Sequence, residues 1–296
     1  MNKKTICLMV LSAILVTSPA YAETIKRTLE VDGTPDVHII NAIGDIIVEG
    51  GASERIEIDA KLSDSAERMD VKERGDRVTI EVIYKGKRWT SRSSTKLYVR
   101  VPQGSNLKVE AISADVMVEA VRGELSLASV SGDVTADSYG GRVDASTTSG
   151  DVRLIGDGSM GGTTIGSTSG DVTATGLAGW LKANSVSGDV IVRDSELERV
   201  SLGAVSGDLT LNDSLVPLAD IEAEAVSGDV GIMLAKGFAG RVDVDTLNGD
   251  INNCFGPKAQ RTSRYGPGRT LNFEQGDGDG RVEIDTVSGD VKLCID

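Results

Sequence analysis

Several things are scarce in this chain. It has one His (His38), three Cys, 6 Pro, two Trp and 3% aromatic residues overall. A lone His excludes a multi-histidine metal site and paired histidine catalysis. So few aromatics exclude a core built on Phe, Tyr and Trp, so the fold must close around small and β-branched residues. Basic residues are the minority, 31 against 45 acidic, for a net charge of −14. That balance argues against a protein that tracks nucleic-acid phosphates. After the first 22 residues no long apolar run remains, so the mature chain is not expected to be integral to a membrane.

Those first residues are themselves informative. Lys3 and Lys4 precede an apolar run from Ile6 to Val16, and Ala20-Tyr21-Ala22 follows. A charged start, a short apolar stretch and an A-x-A site form an export signal, with cleavage expected after Ala22. Losing two Lys and no acid moves the charge from −14 to −16. The expected location is the periplasm or the cell surface. Cys7 lies at the start of the apolar run, not at its end, which argues against a lipid-anchored cysteine. Export leaves Cys254 and Cys294 in a compartment where disulfides persist.

Glycine is abundant, 35 of 296 residues, or near 12% against an average of roughly 7%. Much of it belongs to one tag, Ser-Gly-Asp-Val and its variants. The tag Asp residues are Asp115, Asp133, Asp151, Asp171, Asp189, Asp208, Asp229, Asp250 and Asp290, with a degenerate copy at Asp45. From Asp115 to Asp250 the steps are 18, 18, 20, 18, 19, 21 and 21 residues. A period near 20 marks a solenoid, in which each unit buries its apolar face only by stacking on its neighbours.

Counting back from each Asp, positions −8, −6 and −4 are apolar or small, as in Leu125, Leu127, Ser129 and Ile221, Ala223, Ala225. Counting forward, +1 and +3 are mostly apolar, as in Val152/Leu154 and Val190/Val192. Alternation on both sides of the tag is strand periodicity. The tag then reads as a corner between two short strands, its Gly permitting a left-handed backbone and its Asp bonding its own main chain. The expected fold is all-β, a parallel β-helix (β-solenoid) of 18–21-residue rungs. Position −4 is small or polar throughout, which suits a bend or a narrow interior.

In organisation, residues 1–22 are the signal peptide, 23–110 an N-terminal β cap region, and 111–296 the repeat. One degenerate rung at Val37, Ile39, Asn41 and Asp45 lies within the cap region, and Lys85–Thr95 reads as a polar loop. The step from Asp250 to Asp290 is 40, yet Gly240–Thr246 aligns with Gly280–Thr286 without a gap. Residues 256–276, with Lys258, Arg261, Arg264 and Arg269, therefore read as an excursion. Cys254 and Cys294 each lie at +4 from their Asp, so with the excursion set aside they stack at about 4.8 Å. A disulfide is expected there, since its Cα window is about 4.4–6.8 Å. Zinc is not, because two Cys and a distant His do not supply four ligands. Whether the last rung is left as an edge strand, covered by the excursion or covered by a partner stays open.

The tandem Ser-Gly-Asp-Val units resemble the bacterial putative-adhesin family of Gly-Asp repeats, also called domain of unknown function 4097, over residues 36–296. The resemblance implies a secreted, β-helix-like, non-catalytic protein linked to adhesion or the cell envelope.

Positions −7 and −5 point outward. In the last three tagged repeats they are all acidic: Glu222/Glu224, Asp243/Asp245 and Glu283/Asp285. Stacked in register they form two columns that suit Ca²⁺ or a basic partner. A solvated acidic face, partly neutralised by Arg241 and Arg281 or covered by the excursion's basic residues, is the plainer alternative. The tag Asp residues could also take Ca²⁺, but turn capping accounts for them, and no cofactor is expected.

No Ser/His/Asp set exists, and Gly266-Pro267-Gly268 and Gly276–Gly280 match no phosphate loop. His38 reads as an exposed strand side chain, and no catalytic residue is assigned. The expected role is an adhesin-like binding or structural scaffold for an envelope glycan or protein surface. Trp89, Trp180, Tyr139 and Tyr265 are the aromatic candidates for sugars, with Trp180 read as packed at a corner. The alternatives are an envelope-stress or signalling accessory protein with a protein partner and, by fold analogy alone, a polysaccharide-cleaving β-helix enzyme.

Overall fold

The computed structural model describes residues 24–86, 94–212, 215–254 and 256–295. The export signal, Cys7 and Trp89 lie outside the described residues. Among the described residues there are strands and no helix, all in one hydrogen-bonded sheet system of 25 strands. The parallel β-solenoid is the fold. Among the described residues no helix is long and apolar enough to cross a membrane.

A single repeat shows why these residues form a rung. Val143–Thr147 and Val152–Gly156 alternate buried and exposed side chains on either side of the Asp151 corner. Each strand pairs in parallel with its equivalents one repeat away, Val143 with Leu125 and Thr163, Val152 with Val134 and Val172. Val143, Ala145, Val152 and Leu154 are all buried. Each fully buried Val or Leu contributes ~1.5–3 kcal/mol, and it does so only when the next rung covers it.

Two hydrogen-bonding columns hold the corners. The Asp side chains do not bond their own main chain. Asp133 N–H donates to Asp115 Oδ1 at 3.0 Å, Asp151 N–H to Asp133 Oδ1 at 2.9 Å, and the ladder continues rung by rung. At position −4 the buried hydroxyls donate to the previous corner, Thr147 Oγ1 to Gly132 O at 2.9 Å and Ser185 Oγ to Gly170 O at 3.0 Å. Ser or Thr is thus small enough to fit and polar enough to satisfy a carbonyl that the bend leaves unpaired. In the Asp45 rung the same position is Asn41, fully buried, which donates to Ile43 O and accepts from the Tyr84 hydroxyl. The tag glycines are required by close approach. At Gly132, Gly150 and Gly170 φ is not left-handed, but a Cβ on Gly170 would fall well inside 3.0 Å of the Gly150 carbonyl oxygen.

Parallel stacking begins upstream of the regular tags. Asp36–Gly51 runs unbroken past its corner and pairs with Asn106–Glu119, Asp45 opposite Asp115. Its other side pairs in parallel with Arg77–Tyr84 and Thr95–Pro102. Antiparallel strands Ala66–Arg74 and Arg55–Lys61 close that end, and Thr24–Glu30 lies beyond Arg55–Lys61.

At the other end the rungs do not stack in sequence order. Leu215–Ser227 pairs with Gly280–Ser288, and Gly280–Ser288 pairs in turn with Gly240–Asn248. The Asp290 rung is therefore inserted between the Asp229 and Asp250 rungs. The Asp ladder follows this order, with Asp290 N–H donating to Asp229 Oδ1 at 2.7 Å and Asp250 N–H to Asp290 Oδ1 at 2.8 Å. The outer rung is covered by Arg269–Gln275, which runs antiparallel to Gly240–Asn248 and pairs with Gln260–Arg261. Asp250, with no further rung to supply an amide, receives Arg269 at 2.5 Å instead. The final repeat is thus not an edge. Inside the stack its strands gain two neighbours each, while an antiparallel hairpin covers the exposed ladder.

Candidate binding face

Each rung's first strand turns its odd positions to solvent, so −9, −7, −5 and −3 lie side by side on one long face. The −7 and −5 residues of the last rungs do stack in columns, in the inserted order. Glu222 lies opposite Glu283, and Glu283 opposite Asp243, while Glu224, Asp285 and Asp245 form the second column. Arg281 pairs with Glu283, and Arg241 with Asp243 at 2.5 Å. Among the described residues Glu222, Glu224, Asp245 and Asp285 have no basic partner.

The excursion does not neutralise this patch. Its strand sets Asn272 and Thr270, not a base, in register with Asp243 and Asp245, while Arg269 serves Asp250 and Arg264 lies over the Tyr265 ring. Nor do the carboxylates converge. Side chains stacked on successive rungs run parallel, and among the described residues no group of three or more His, Cys, Asp or Glu could hold a metal ion.

Crowding raises the Asp285 pKa, first through burial and then through Asp245, Glu283, Glu224 and Glu222. A raised folded-state value favours the protonated folded protein. The stability tied to Asp285 is full below the unfolded value, about 3.9, and falls as pH rises through the higher folded value. D285N is therefore expected to stabilise the protein at pH 7 by ~0.5 kcal/mol, the scale of one like-charge cross-strand contact. In thermal melts the gain shrinks in high salt and disappears near pH 3.5; a D285N protein less stable at pH 7 overturns this account.

Position −3 completes the face. Val186, Val205, Val226, Val287 and Leu247, one from each of five consecutive rungs, are between 45% and 63% exposed. They stack beside the acidic column at −5. An open groove of about 560 Å³ runs between the two, lined by Asn184, Val186, Val205, Glu224, Val226 and Asp285. Alternation about the tag picks out −5 and −7 and passes over −3, although the signal is plain in the sequence. Val precedes Ser-Gly-Asp at 130, 186, 205, 226 and 287. A recurrent branched aliphatic at a solvent-facing position is an exposed apolar ladder, which monomeric surfaces rarely carry without use.

The remaining candidates are dispersed. His38 is partly buried on the outer face, its Nε2 3.3 Å from a Glu110 oxygen, and Glu110 also pairs with Lys108 at 2.7 Å. Cys254 and Cys294 form a disulfide with Cα atoms 4.9 Å apart, joining the outer rung to the inserted one. Trp180 is not packed at a corner: it stands on the outer face, 39% exposed.

The fold and this face define a class, a doubly capped parallel β-solenoid with one long side-chain-bearing face. The chain belongs to the Toastrack DUF4097 family, whose model matches residues 36–294. Among solved structures it is similar to a putative adhesin from Parabacteroides merdae (12% identity, TM-score 0.37, covering 92% of this chain and 96% of that one). It is also similar to a putative adhesin from Bacteroides fragilis (11%, 0.35, 92% and 97%) and to a putative lipid binding protein from Parabacteroides distasonis (10%, 0.34, 91% and 96%). No curated protein matches the chain.

Proposed function

We propose that this is an exported, non-catalytic, adhesin-like protein of the periplasm or cell surface, and that its outer face binds an envelope surface. The leader pattern of residues 1–22 supports export, and the resemblance of the Ser-Gly-Asp repeats to a family of putative adhesins supports the role. The observation that carries the reading is the apolar ladder at −3, continuous over five rungs, beside a −5 column that is acidic in the last three of them. Apolar area supplies affinity, and the carboxylates select a partner surface bearing cations.

The test uses the mature protein and isolated envelopes of the producing organism. V205D/V226D places two charges at solvent-exposed positions, so folding is retained and binding is expected to fall at least about tenfold, a loss of 1.4 kcal/mol. Undiminished binding refutes the reading. Retention of one cross-linked protein with no binding to intact surfaces replaces it with the accessory-protein role.

A further inference from the structure

The charges of the outer face are ordered along the stack. The Asp171 rung lies in the middle, with the Asp151, Asp133, Asp115 and Asp45 rungs stacked on one side. The Asp189, Asp208, Asp229 and Asp290 rungs follow on the other. The middle rung presents Gly162, Thr164, Gly166 and Thr168 outward and carries no charge of its own there. Counted away from it in both directions, equal steps bring opposite signs together at four places, one at each step. At one step Asp144 is matched by Lys182 at −7, and at two steps Glu124 by Arg199 at −9. At three steps Lys108 is matched by Glu222 at −7, and at four steps Asp36 by Arg281 at −9.

The apolar column at −3 obeys the same count. Val130 is matched by Val205 and Ile112 by Val226, all four between 42% and 48% exposed. Like charges meet once within these nine rungs, Glu110 with Glu224 at −5, and Glu110 is already paired with Lys108. One step further Arg77 would meet Arg241, and Glu81 would meet Asp245, so the match ends there. Among the described residues Glu124, Asp144, Lys182 and Glu222 have no oppositely charged partner in their own chain.

We propose that this face is self-complementary and is covered by a second copy of the chain. A two-fold axis along the strand direction, lying over the Asp171 rung, turns one stack end for end and sets each column opposite itself. That is an isologous contact, with the two sheets in the aligned class of face-to-face packing. Asp144 of each copy then meets Lys182 of the other, so every pair is made twice. Nine rungs span about 38 Å and −9 to −3 about 20 Å, a footprint of about 760 Å² on each copy. A standard interface takes about 800 Å² per partner. The dimer goes beyond the envelope-binding reading and does not rest on it. It makes a second copy and the envelope rivals for one face.

Sedimentation equilibrium of the mature protein reads the mass. The parent is expected to be a dimer at micromolar concentration. D144K and K182D are each expected to raise the dissociation constant about tenfold or more, because each sets like charges against one another twice. D144K/K182D exchanges the signs and is expected to return the constant to near the parent's. Within one chain residues 144 and 182 stand two rungs apart, about 10 Å, so a contact between copies accounts for the rescue and a fold defect does not. A parent that stays monomeric to submillimolar concentration, single variants that dimerise like the parent, or a double variant no tighter than the singles overturns the proposal. Envelope binding by a protein that is always monomeric refutes the dimer alone. A dimer that follows the exchange in a protein that binds no envelope supports it and refutes only the envelope reading.

Discussion

Removing the Cys254–Cys294 bond by C254S/C294S is expected to cost about 2–4 kcal/mol and to loosen one end of the solenoid, not the whole. The bond spans a sequence separation of 40. A cross-link closing a loop of that size stabilises by up to ~4 kcal/mol through the entropy of the unfolded chain. The location concentrates the effect. Cys254 follows Ile251–Asn253, a three-residue strand whose only strand partner among the described residues is Val291–Ile295. Cys294 is buried in that inserted strand. The bond thus fastens the outer rung, which carries the covering hairpin, to the rung beneath it.

In a solenoid each unit touches only its neighbours, so damage at one end stays there. The double variant, or the parent under reductant, is expected to be cut first between residues 254 and 280, while the Asp133 to Asp208 rungs stay protected. Limited proteolysis read by mass spectrometry, with urea melts beside it, decides the matter. Equal melting and equal cleavage with and without the bond contradict it.

The second large effect is expected at a corner. G170V should destabilise the protein by roughly 3 kcal/mol, at the upper end of ordinary substitutions. The tag glycines form a column in which each Cα faces the carbonyl oxygen of the preceding corner. A side chain at 170 meets the Gly150 carbonyl, which is backbone and cannot swing aside. Opening the gap also pulls apart the Asp171–Asp189 and Asp151–Asp171 ladder bonds, both 2.9 Å. G231A is the control. Its nearest new contact is an ordinary 3.9 Å from the Leu209 oxygen, so its cost is expected to stay within ~0.5 kcal/mol. Chemical denaturation of the two variants side by side tests the claim, and equal midpoints would falsify it.

Much of the binding face was legible before folding, but unevenly. The acidic positions could be placed because −7 and −5 alternate with buried −8, −6 and −4. The Val at −3 recurs just as visibly, yet its outward direction depends on where the strand ends and the corner begins. The reason for Gly in the tag was legible only in part. A turn glycine suggests a left-handed backbone, whereas at Gly132, Gly150 and Gly170 the constraint is the neighbouring rung's carbonyl, a contact between residues 18 or 20 apart in sequence.

The amino-acid sequence by itself determined the rung. A period near 20, strand alternation on both sides of a Ser-Gly-Asp corner and too few aromatics for any other core leave a parallel solenoid as the consistent answer. What it could not determine was the order of the rungs. Gly240–Thr246 and Gly280–Thr286 align without a gap and differ only at Asp243/Glu283 and Val244/Ile284, so either could stack on the Asp229 rung with equivalent side chains in the same places. Local pattern is degenerate between them. The choice falls to the ends of the stack, where an unpaired strand edge is exposed to solvent. Arg269–Gln275 covers that edge only beside the Asp250 rung, and the last repeat takes the place between, where each of its strands has two neighbours. That is a property of the assembled sheet and of no single repeat.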